Sequence, residues 1–180
     1  MAVDFTAYTL ESAPAEAKPL LQGVTHSFGF LPNLFSYMAE APVTIDAYLH
    51  LNALIAKSSL TPAQAQVALL SVSIENDCGF CTVAHRAIGK KSGVHPQTLD
   101  ALAHQGEIAD PQDRALSQFT RTLVKKRGWL EEGELDAFLA AGFSKQNVFE
   151  VILVVTIKTL SNYSNHLTKP EPNPELVAML

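Results

Sequence analysis

Residues 60–93 read LTPAQAQVALLSVSIENDCGFCTVAHRAIGKKSG. Thr61-Pro62-Ala63-Gln64 places a cap residue, a proline at the first helical position and a glutamine at the capping-box position. Val67, Leu70 and Ile74 carry that helix to about Glu75 at helical spacing. A second helix starts near Cys78 and ends at Ser92-Gly93, where glycine suits a left-handed cap. The stretch is therefore a pair of helices joined by a short turn.

The same punctuation extends outward in both directions. Pro14 opens a first helix towards Ser27, with Pro19 costing it regularity. Gly29 to Asn33 form a turn, and Pro32 starts a short helix from Asn33 to Glu40. Pro42 starts another to about Lys57, with Ile45, Leu49, Ala53 and Ala56 at helical spacing. Downstream, Pro96 to His104 is short, Asp110-Pro111-Gln112-Asp113 opens a helix ending at Gly128, and Glu131 to Ala141 ends at Gly142. Ser144 caps the last helix, which runs to Ser161. Val148 to Ile157 is rich in β-branched residues, yet it does not alternate and no partner strand is present. It reads as a central helix buried on most sides. The expectation is an all-α chain of about eight to nine helices. Residues 1–180 form one domain, ending in an irregular arm over 169–180.

Composition limits the function classes. The chain has 180 residues and is 47% apolar, which suits one compact domain with apolar surface to spare for a subunit interface. The net charge is -5, and no basic stripe suits nucleic acid. The cluster Lys125-Lys126-Arg127 falls in a last helical turn, where cations complement the dipole. No apolar run reaches bilayer length, because Glu150 and Thr156 interrupt the longest. Met1-Ala2-Val3-Asp4-Phe5 lacks the basic region and apolar core of a signal peptide, so a cytoplasmic protein with no membrane partner is expected. In that compartment Asn162-Tyr163-Ser164 carries no glycan. Two cysteines three apart then point to redox or metal chemistry rather than to a structural staple.

The candidate site is Cys78, Cys81 and His85. On a helix, these positions share one face within two turns. A helix N-terminus stabilises a thiolate, and cysteines three apart there can form a disulfide. His85, one turn after Cys81, is placed to exchange a proton with it. The dipole favours Cys78 as the low-pKa thiol, and the histidine spacing favours Cys81. The histidine decides, because a base in contact also moves the proton. A zinc site would need a fourth ligand, for which His166 is the first candidate; no second CxxC or paired histidine appears, so no metal is assigned. No glycine-rich phosphate loop is present, so no nicotinamide or flavin cofactor is expected either.

At these residues the sequence resembles the alkyl hydroperoxidase D family, within the carboxymuconolactone decarboxylase-like superfamily. The likeness rests on Cys78-Gly79-Phe80-Cys81-Thr82-Val83-Ala84-His85, on Leu60-Thr61-Pro62, and on Ser73 and Asn76 before the first cysteine. Phe28 to Phe35 and Asn162 to His166 resemble flanking segments. The resemblance implies a helical-bundle subunit, a trimer or hexamer, and peroxide reduction by a cysteine pair cycling between dithiol and disulfide. It implies Cys81 as the attacking thiol, Cys78 as the resolving thiol and His85 in a proton relay. The family's relay glutamate is replaced by Gln66, which cannot accept a proton at neutral pH, and Phe80 stands where one member has a histidine. Glu75 and Asn76 are the supporting candidates nearby. Tyr163 and His166 either line the mouth of the thiol pocket, with a neighbouring subunit as one source, or belong to a helix end capped by Asn165.

The sequence thus predicts a thiol-dependent peroxidase with an antioxidant role. Its partners would be a hydroperoxide and a dithiol or disulfide-reductase electron donor. Two other readings stand beside it. One is a non-catalytic oligomeric redox sensor or scaffold using the same cysteines. The other is a decarboxylase-type lyase, which would want a convergent basic pocket where this stretch offers only Arg86. His26, His50, His95 and His104 receive no role, and Trp129 is expected to anchor its turn on the core.

Overall fold

The computed structural model describes residues 4–180. Met1 to Val3, the first part of the segment read for a signal peptide, lie outside the described residues. Ten helices follow one another, and no strand occurs among the described residues. They are α1 (Lys18–Phe28), α2 (Asn33–Met38), α3 (Pro42–Ile55), α4 (Pro62–Glu75) and α5 (Gly79–Lys91). Then come α6 (Pro96–Ala103), α7 (Pro111–Lys126), α8 (Glu134–Ala140), α9 (Lys145–Thr168) and α10 (Pro174–Val177). Thr61 and Gln64 close a capping box at α4, and Ser144 and Asn147 do the same at α9.

Several boundaries differ from the sequence reading. Pro14 opens a turn rather than a helix. The helix begins at Lys18, where Pro19 sits in the first turn and its missing N–H costs nothing. Glu131 precedes α8, which starts after Gly133 at φ 85°. Trp129 is 84% exposed and anchors nothing. The segment read as ending at Ser161 continues helical to Thr168, because Asn162 to His166 keep their burial pattern and only Lys169, at φ 50°, breaks the helix.

Two apolar clusters form the interior. One gathers Val67, Leu70 and Val72 of α4 with Leu116 and Phe119 of α7, Phe138 of α8, and Val151, Val154 and Ile157 of α9. The other gathers Leu21 and Val24 of α1, Leu34 and Phe35 of α2, Ile45 of α3, Phe80 and Cys81 of α5 with Cys78 just before it, and Leu176 of α10. Helix α9 passes from the first cluster into the second. Its buried face reads Val151, Val154, Lys158, Ser161, Asn162 and Asn165, so the apolar stripe turns polar where the clusters meet.

The C-terminal arm folds back on its own chain. Asn173 accepts from the backbone N–H of Asn33 at 2.8 Å and donates to the Leu31 carbonyl at 3.1 Å. This clasp seats Leu176, 2% exposed, in the second cluster. Among the described residues no single helix is long and apolar enough to cross a membrane.

Candidate functional site

The turn between α4 and α5 places the cysteines. Asp77 adopts a left-handed φ of 52°, and the Cys78 N–H reaches back to the Ser73 carbonyl at 2.8 Å, as in a Schellman closure. Cys78 is thereby fixed as the residue that caps α5, and Cys81 lies in the first turn. Both are free thiols and both are 2% exposed.

His85 is 6% exposed, but its hydrogen bonds do not go to a thiol. Nδ1 lies 2.9 Å from Gln66 Oε1, and Nε2 lies 2.9 Å from Lys158 Nζ. A glutamine oxygen only accepts and an ammonium only donates. The ring therefore carries its proton on Nδ1 and presents a lone pair on Nε2. Burial, reinforced by the neighbouring Lys158 charge, holds the imidazole well below its ordinary pKa. The direct histidine–thiol contact expected from the helical spacing is thus replaced by a His85–Lys158 contact.

Lys158 is the residue the sequence reading missed. It is 0% exposed, and no carboxylate lies within ion-pair distance of it among the described residues. An unpaired buried ammonium costs several kcal/mol. The anion available to it is the Cys81 thiolate. Cys81 has the Cys78 thiol beside it, the positive charge of Lys158 close by, and an amide hydrogen bond from Asn165. Together these outweigh its burial and hold the thiol well below the ordinary cysteine pKa. Cys78 moves the other way: it keeps its proton, which faces Cys81, and it is itself desolvated. The helix dipole, which had favoured Cys78, is overruled by these closer contacts. The signal was present in the sequence: a lysine directly after the apolar run Val148 to Ile157, seven residues after Val151 and so on its buried face.

Asn165 completes the cage. Its Nδ2 donates to Cys81 Sγ at 3.2 Å and stands 3.8 Å from Cys78 Sγ. It is therefore neither a helix cap nor a surface residue. Asn165→Ala is expected to raise the Cys81 titration midpoint by roughly one pH unit, the worth of one hydrogen bond to a charged acceptor. The pH dependence of thiolate ultraviolet absorbance reads this directly, and an unmoved midpoint would remove Asn165 from the site.

The other sequence candidates fall in different places. Asn76 donates to Asn162 Oδ1 at 3.0 Å, linking the cysteine turn to α9. Gln66 reaches the site through His85. Glu75 does not replace the relay carboxylate, because it pairs with Arg121 at 2.8 Å. Tyr163 is 58% exposed, and its ring lies 6.1 Å from that of His166, also exposed; neither lines the thiol cavity of its own chain. No three His, Cys, Asp or Glu side chains are grouped as a metal would require among the described residues.

A small cavity of about 40 Å³ touches Cys81, His85 and Lys158, walled by Phe28, Phe35, Tyr48, Phe80, Ile88 and Leu176. Phe28, Phe35, Tyr48, His85, Ile88 and Leu176 also line a cleft of about 310 Å³. The Cys81 sulfur thus sits at the end of an aromatic-walled recess.

Residues 44–122 match the model of the carboxymuconolactone decarboxylase family. That segment is similar to the family, and the chain as a whole shares its fold with an alkylhydroperoxidase AhpD core structure. An alkylhydroperoxidase AhpD core structure, an uncharacterised peroxidase-related protein from Ralstonia eutropha JMP134, is similar with TM-score 0.86 at 24% identity. That match covers 99% of this chain and 96% of the other. A peroxidase-related protein from Silicibacter sp. TM1040 is similar with TM-score 0.80 at 21% identity, covering 96% and 94%. The debrominase Bmp8, in a variant complexed with 2,3,4-tribromopyrrole, is similar with TM-score 0.78 at 19% identity, covering 99% and 96%. No curated protein matches the chain.

Proposed function

We propose that the protein is a thiol-dependent peroxidase that reduces organic hydroperoxides through Cys81 and Cys78. The observation that carries this reading is the buried Lys158–Cys81–Cys78 arrangement. The Cys78 thiol, the Lys158 charge and the Asn165 amide together favour a thiolate at Cys81, and Cys78 keeps its proton against it. A thiolate is the species that attacks a peroxide oxygen, and a neighbouring thiol is what converts the resulting sulfenic acid to a disulfide. The recess supports an organic substrate. A space of about 40 Å³ beside the sulfur admits a hydroperoxy group, while the aromatic-walled cleft of about 310 Å³ suits an apolar body. Regeneration requires a dithiol donor, and assembly into a homo-oligomer belongs to the same proposal.

The test is hydroperoxide consumption by the native protein with a dithiol reductant, together with a count of free thiols after one equivalent without reductant. The expected result is turnover, with both thiols lost per peroxide consumed. No turnover with several peroxides and reductants would sink the peroxidase reading and favour a redox sensor or scaffold.

A second reading has one observation in its favour. The aromatic walls around Cys81 suit a flat halogenated ring, and the debrominase has the same fold. Bromide release from a bromopyrrole under the same dithiol conditions distinguishes it.

A further inference from the structure

Lys158 has a place in the site beyond balancing charge. A peroxide reduced by a thiolate leaves as an alkoxide, a very poor leaving group that must be protonated as the O–O bond breaks. His85 cannot supply that proton. Its Nε2 accepts from Lys158, and its only N–H points at Gln66. Gln66 has no acidic proton. Tyr48, on the cavity wall, holds its phenol proton more tightly than usual, through burial and the nearby Cys81 charge. Cys78 keeps its proton on the thiolate until it becomes the resolving thiol. Lys158 remains: an ammonium on the wall of the cavity that contains Cys81, fully buried and tethered by His85.

We infer that Lys158 is the general acid of the reaction, protonating the leaving oxygen, with His85 and Gln66 as the positioning residues that aim it. The inference rests on the peroxidase reading above. The Cys81 thiolate attacks the terminal oxygen of the hydroperoxide. An S–O bond forms, the O–O bond breaks, and the sulfur is oxidised to a sulfenic acid as the peroxide is reduced to an alkoxide. Lys158 protonates the alkoxide to the alcohol and becomes a neutral amine. The amine then takes the Cys78 proton. The Cys78 thiolate displaces hydroxide from the sulfenic acid to close the disulfide, and Lys158 passes the proton on to make water. A dithiol donor then supplies two electrons and two protons. These restore the Cys81 thiolate, the Cys78 thiol and the Lys158 ammonium, while the donor becomes a disulfide.

General acid catalysis is distinguished from mere charge balance by the leaving group. An alkyl hydroperoxide needs the proton, whereas a peracid, whose carboxylate leaves unaided, does not. The experiment follows Cys81 oxidation by tert-butyl hydroperoxide and by peracetic acid in the native protein, Lys158→Arg and Lys158→Met. Rates are corrected for thiolate fraction from the ultraviolet titration, and folding is checked by circular dichroism. Arginine keeps the charge but does not release a proton; methionine fills the site if the larger side chain is not accommodated. The expected result is a loss of about 100-fold or more with the alkyl hydroperoxide and about tenfold or less with the peracid. Equal slowing of both oxidants, or unchanged rates, would overturn Lys158 as the acid while leaving the peroxidase reading intact. A native protein inert to every hydroperoxide would instead remove the reading on which the inference rests.

Discussion

Cys81→Ser is expected to reduce hydroperoxide consumption to the rate of buffer alone. A serine hydroxyl in the same cage remains protonated, since neither Lys158 nor Asn165 compensates for an alcohol's far weaker acidity. Cys78→Ser should behave differently. It retains the attacking sulfur and so consumes one equivalent of peroxide, then stops with a Cys81 sulfenic acid that a cyclic diketone reagent labels. That single turnover should run near the native rate at neutral pH, because the serine hydroxyl can still donate to Cys81 as the Cys78 thiol does. Mass spectrometry of the labelled chains decides the assignment. An adduct on Cys78 in the Cys81→Ser protein, with none on Cys81 in its counterpart, would reverse the two roles. The sign of the electrostatics argues against that reversal, since Cys78 is held protonated by the same contact that ionises Cys81.

Phe138→Ala should be the most damaging single change to stability outside the site. Phe138 is 1% exposed, with its ring stacked between Phe119 at 4.0 Å and Phe143 at 4.4 Å. It is the one buried residue of α8, a helix of seven residues too short to persist without an anchor. Removing the ring deletes both stacking partners and leaves a cavity bounded by α7 and the turn before α9. The expected cost is about 3–5 kcal/mol, a large share of the stability of an ordinary domain. Urea denaturation should show the midpoint falling with little change in slope. The Cys81 titration in the remaining folded protein should not move, because Phe138 belongs to the other apolar cluster. A loss below about 1 kcal/mol would mean that α8 repacks and that the aromatic stack is dispensable.

Helix class and most helix starts were legible because their causes are local. Thr61-Pro62, Asp110-Pro111 and Ser144 are caps whose hydrogen bonds close within three residues, and the structure forms all of them. The cysteine turn was legible for the same reason, as was the shared face of Cys78, Cys81 and His85. The end of α9 was not. Asn162 to His166 look like a polar terminus in one dimension, and only the packing of Asn162 and Asn165 against the cysteine turn makes them helical interior. Where the arm over 169–180 docks was hidden by the same limit. Its prolines do signal irregular chain, but the Asn173 clasp lies some 140 residues away in sequence at Asn33.

The sequence by itself determined an all-helical chain, the helix pair that carries the thiols, and the presence of a CxxC motif with a histidine four residues on. Each follows from interactions within one or two turns of backbone. What lies opposite the thiols was decided only by the tertiary structure. Lys158 and Asn165 come from a helix about 80 residues further along, and they turn His85 from the expected partner of Cys81 into the tether of a lysine. The physical reason is that the ionisation of a buried thiol is set by the few charges and donors within hydrogen-bond reach. In a folded chain those neighbours are chosen by packing, and their separation along the sequence carries no record of it.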